Sequence, residues 1–99
     1  MSVRHALASL DALRQPTRLE IFRVLIASEP DGLPASAIAE KIGYTAVSSH
    51  LSALAQAGLV RTSRRERPII YRADVGAIKG LVGFLVNDCC GGRPELCDL

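Results

Sequence analysis

Apolar positions along the chain keep a helical rhythm at both ends and lose it once, near residue 60. Residues 3 to 13 place Val3, Leu7, Leu10 and Leu13 three and four apart, which predicts a first helix. A second helix starts either with Pro16 in its first turn or with Thr17-x-x-Glu20 as a capping box, readings that differ by a residue or two, and has Leu19, Phe22, Leu25 and Ile26 as its apolar set. Pro30, Asp31 and Gly32 make residues 28 to 34 a loop. Pro34 then opens a short third helix with Ile38, Ala39 and Ile42 inward, and Gly43 is placed to stop it in the left-handed conformation. Thr45 is a good N-cap for a fourth helix running to about Ala57, ended by Gly58. The period then changes. Residues 59 to 64 and 69 to 73 are rich in β-formers and are separated by Arg65-Glu66-Arg67-Pro68, which predicts a hairpin. Asp74 caps a last helix to about Asp88, whose apolar face is Val75, Ile78, Leu81, Val82, Leu85 and Val86.

The predicted order is helix, helix, helix, helix, hairpin, helix. A short helix, a tight turn at Gly43-Tyr44-Thr45 and a second helix make a helix-turn-helix, and the hairpin after it makes a wing. The fold class is therefore mostly α with a β-hairpin wing, a winged helix-turn-helix. On the fourth helix Val47, Leu51 and Leu54 form the inward stripe. Thr45, Ser49, Ser52 and Gln56 occupy the opposite face, with Ser48 on its flank. Short hydrogen-bonding side chains with no acid among them suit base edges or phosphates in a major groove; a solvated polar face is the plainer alternative. His50 lies nearer the apolar stripe, where it either makes a local hydrogen bond or reaches a phosphate.

Charge sharpens the picture. The net charge is only +2, yet the segment from Arg61 to Arg72 holds five arginines against one acid, Glu66. A basic stripe confined to one segment fits a phosphate-contacting surface. Arg64, Arg65 and Arg67 are the candidates for backbone or minor-groove contact, Arg61 and Arg72 flank the strands, and Tyr71 packs on the body. Composition bounds the rest. Ninety-nine residues, 48% hydrophobic and 4% aromatic without Trp, predict one aliphatic core. A chain this short buries only roughly 60–65% of its unfolded surface, so dimerisation would add useful burial. The stretch from Val75 to Val86 is interrupted by Lys79 and falls short of the ~20 residues that span a bilayer. The first residues, Met1 to Leu7, contain no signal-like apolar run, so a cytoplasmic protein without a membrane partner is expected.

The fourth-helix segment from Thr45 to Val60, with its Ser-Ser-His-Leu and Ala-Gly-Leu-Val runs, resembles the ArsR/SmtB family of winged-helix metalloregulatory repressors. So do Arg64-Arg65-Glu66 followed by Tyr71-Arg72, and the Pro16-Thr17-Arg18-Leu19 start of the second helix. The likeness covers roughly residues 5 to 87. One departure is Arg67-Pro68 in the wing turn, where many relatives have Gly. The resemblance implies a homodimer joined by its first and last helices, DNA recognition by Ser48, Ser49 and His50, and repression of a double-stranded operator relieved by an inducer.

All three cysteines fall in the last eleven residues, at Cys89, Cys90 and Cys97. An odd, bunched set argues against a disulfide framework and for a site that takes a soft ion. Gly91 and Gly92 permit the reversal that returns Cys97, and Pro94 stiffens the far side. Family members carry inducer sites in different places. The third helix here has no cysteine pair and the last helix no histidine, whereas the tail is similar to the Cys-Cys…Cys site of some arsenite-responsive members. Three thiolates without a fourth strong ligand suit As(III) or Sb(III), which keep a lone pair; structural zinc completes a tetrahedron. Asp88, Asp98 or His5 would supply a fourth ligand for zinc, cadmium or lead, and Cys97 with either neighbour would make a redox switch. The expectation is thus a DNA-binding and dimerisation domain over residues 1–88 and an inducer-binding tail over 89–99. It is not expected to be an enzyme. A thiol-dependent arsenate reductase needs an anion cradle longer than Cys90-Gly91-Gly92-Arg93, and a metalloid carrier leaves the basic hairpin unexplained.

Overall fold

The computed structural model describes residues 2–43, 46–63 and 67–88. Among them five α-helices and a three-stranded antiparallel sheet follow in the order α1 (Val3–Arg14), α2 (Pro16–Ala27), β1 (Leu33–Pro34), α3 (Ala35–Ile42), α4 (Ser48–Gln56), β2 (Val60–Ser63), β3 (Ile70–Ala73) and α5 (Val75–Gly83). A π-helical turn, Phe84–Asp88, continues α5.

Three helix starts carry a side-chain cap. Ser2 caps α1, its Oγ accepting from the His5 N–H at 3.1 Å. Asp74 caps α5, its Oδ1 accepting from the Ala77 N–H at 3.0 Å. At α2 the Thr17/Glu20 capping box does not form. Pro16 takes the first helical position, which makes Gln15 the cap, and its Oε1 accepts from the Arg18 N–H at 2.9 Å. Gly43 ends α3 at φ 70°, its N–H donating to the Ala39 carbonyl at 2.9 Å.

The sheet corrects the expected order. Residues 28 to 34 are not wholly loop: Leu33 and Pro34 pair with Tyr71 and Ile70, so a strand precedes α3 and the sheet runs β1-β3-β2. Proline is tolerated because β1 is an edge. Gly32 makes the approach possible. At φ 76° it avoids strain, and a Cβ there would stand 2.6 Å from the Tyr71 carbonyl oxygen. The wing strands are shorter than expected and pair Val60 with Ala73 through Ser63 with Ile70.

One core joins these elements: Ile21, Phe22 and Leu25 of α2, Ile38 of α3, Val47, Leu51 and Leu54 around α4, and Leu59, Val60 and Ala73 of the wing base. Tyr71 packs against it, as its sequence position predicts. Leu19 and Ile26, expected inside with Phe22 and Leu25, are exposed, and Ile21 takes the inward place. Of the apolar set expected on the first helix, Leu13 packs against the core and the other three do not. Ala6, Ser9 and Ala12 face inward, while Val3 and Leu7 are 62% and 61% exposed and Leu10 is exposed beside them. On α5 only Leu81 is buried, and Val82 is exposed, as is Leu85 in the turn that follows.

Candidate nucleic-acid interface

Helix α4 is fixed by its inner stripe. Val47, Leu51 and Leu54 are 2%, 0% and 0% exposed, packed against α2 and the base of the wing. That anchorage sends Ser48, Ser49, Ser52 and Gln56 to the outside, where all four are exposed. The helix begins at Ser48 rather than directly after Thr45. Val47 occupies the cap position and offers no side-chain acceptor to the first-turn amides. An uncapped N-terminus of positive dipole, edged by serines, suits an anion such as a DNA phosphate. Thr45 itself lies outside the described residues.

His50 is half-buried on the flank of α4, and its Nδ1 accepts from the Arg18 Nε–H of α2 at 3.4 Å. The hydrogen bond anticipated from its wheel position is not a local one: the partner lies on α2, thirty-two residues distant in sequence. Arg18 is the residue that sequence reasoning missed. A signal was present: α4 contains no lysine or arginine, so any cation beside it must come from another element.

In the wing, Arg61 and Arg72 are direct cross-strand partners on one sheet face. Such a pair repels unless acids intervene, and here two do. Arg72 Nη2 lies 3.6 Å from Glu29 Oε2, and Arg61 Nε lies 3.9 Å from Asp74 Oδ2. The first pair ties β3 to the end of α2. The second is 78% exposed on its arginine side and contributes little. Both arginines are thereby engaged at the base of the wing, beside an open groove of about 770 Å³. Arg67 is exposed at the far end of the hairpin. Arg64 and Arg65 fall outside the described residues.

So do Cys89, Cys90 and Cys97. Among the described residues, no three His, Cys, Asp or Glu side chains gather to hold a metal ion. His5 is exposed on α1 with Nε2 over Gly58, where a Cβ would come within 3.3 Å of it. No helix among the described residues is long and apolar enough to cross a membrane.

Compared with known families, residues 13–63 match the model of a helix-turn-helix domain. The match runs from the last two residues of α1 through β2 and so contains both helices of the motif and the first wing strand. No curated protein matches the chain significantly.

Proposed function

The chain belongs to the helix-turn-helix domain family, which makes it a DNA-binding transcription regulator, and from that premise we propose that it is an arsenite-responsive repressor acting as a homodimer. The observation that carries the reading is the joint presence of a serine-lined outer face on α4 and a three-thiol tail directly after the last helix. It acts by binding, without catalysis.

Dimerisation is supported by the outward apolar faces. Val3, Leu7 and Leu10 on α1, with Val82 and Leu85 at the other end of the chain, are too large and too close in sequence to be chance surface residues on a domain this small. Twofold pairing through them would offer two α4 helices to one duplex, about 34 Å apart for half-sites one turn distant. Glycines 76, 80 and 83 on the last helix favour close helix approach at such a seam.

The donor set suits the inducer. Arsenous acid bears three hydroxyls. Each leaves as water with the proton of one thiol as an As–S bond forms, so Cys89, Cys90 and Cys97 complete a pyramidal three-sulfur site with no redox change. Gathering these residues constrains the chain immediately after the π-helical turn, and the seam formed by α5 inherits the constraint. To carry a two-state population from 1:99 to 99:1, the inducer must favour the DNA-released form by about 5.5 kcal/mol.

A labelled operator duplex, obtained by selection from random sequence, tests this by fluorescence anisotropy. Arsenite or antimonite should release the wild-type protein and raise its near-ultraviolet sulfur-to-metalloid absorption. Cys89→Ser, Cys90→Ser and Cys97→Ser should each stay on DNA at the same arsenite concentration. Release that persists in all three variants would overturn the sensor, and release by cadmium, lead, zinc or an oxidant in place of arsenite would reassign it.

A further inference from the structure

We propose that Arg18 is a second-element contact to the DNA backbone, held by His50 so that its guanidinium meets a phosphate beside α4; this rests on the DNA-binding reading of α4 and extends it to a residue outside both motif helices and the wing. Three observations converge on it.

The first is a shortage of charge. From Ala46 to Ala57 the chain has no lysine or arginine, yet a helix lying in a groove is bordered by phosphates on both sides. Arg18 is the cation that the fold brings into hydrogen-bond contact with a side chain of α4.

The second is how Arg18 is held. Its N–H is fixed by Gln15 in the first turn of α2, and its Nε–H donates to His50 Nδ1. An acceptor Nδ1 carries a lone pair, so this contact selects the tautomer with the ring proton on Nε2. Using Nε for the histidine leaves the terminal amino groups of the guanidinium as a planar fork, the geometry that matches two phosphate oxygens.

The third is the company it keeps. Arg14, Arg61 and Arg72 each lie within ion-pair distance of a carboxylate. No carboxylate pairs with Arg18 among the described residues. Asp11 lines the same cleft but is engaged by Arg14 at 3.4 Å. That cleft, about 420 Å³, is otherwise walled by alanines and Gln56, so it joins Arg18 to the exposed face of α4. An arginine with no carboxylate paired to it among the described residues keeps its charge for an outside anion.

The test is a titration of full-length protein with a selected operator duplex and with an unrelated duplex of equal length, at several salt concentrations. R18M should weaken both alike and reduce the slope of log K against log salt by about 1, the signature of one lost phosphate contact. R18K should restore the slope. In a DNA-independent measurement, nitrogen-15 shifts of the His50 ring should report the Nε2–H tautomer in the wild type and a mixture in R18M. An unchanged salt slope in folded R18M overturns the proposal. So does a slope lost equally in R18M and R18K, or a His50 ring indifferent to both. A wild-type protein that binds neither duplex would instead overturn the DNA reading itself.

Discussion

Helices α4 and α1 carry large aliphatic residues at the same intervals and put them to opposite uses. On α4 the stripe is sealed inside, and the polar face it leaves outside is the proposed reading surface. On α1 the inner contacts are made by Ala6, Ser9 and Ala12 with half-buried Leu13, and Val3, Leu7 and Leu10 stand in solvent. Small residues at these positions let α1 lie close on α2 and α4. Ser9 is fully buried with its hydroxyl unpartnered, a further sign that this face is selected for size. Periodicity identifies a sided helix. It does not say whether the chain itself or another molecule covers the apolar side.

The comparison breaks most violently at α4. Leu54→Ala removes a fully buried side chain from the centre of the core and should cost about 2–5 kcal/mol, read as a lower urea midpoint. Leu7→Glu combined with Leu10→Glu should do far less to the fold, because both side chains are exposed in the single chain. Its effect belongs to assembly: the pair should sediment as a monomer with unchanged helical circular dichroism. A large loss of helical signal in that variant would mean that α1 covers its own aliphatics.

Much of the reading half was legible because its rules are local. Gly43 at the end of α3, the Val47-Leu51-Leu54 stripe and the Asp74 cap all follow from neighbours within a turn or two. Other features depend on residues far away. A two-residue strand has no alternation to detect, so Leu33-Pro34 became visible only against Tyr71 and Ile70. The Thr17 box lost to Gln15 because proline at the first helical position fixes the start of α2 two residues earlier than the box requires. Arg18 and His50 meet through packing of α2 on α4, which no spacing encodes. The candidate thiols rest on residue type alone, and all three lie outside the described residues.

Sedimentation of the metalloid-free protein with an operator duplex is the most direct measurement of how the two faces cooperate. Two chains per duplex, falling to free duplex on addition of arsenite, is the predicted result. One chain per duplex, or a two-chain complex indifferent to arsenite, would contradict the account.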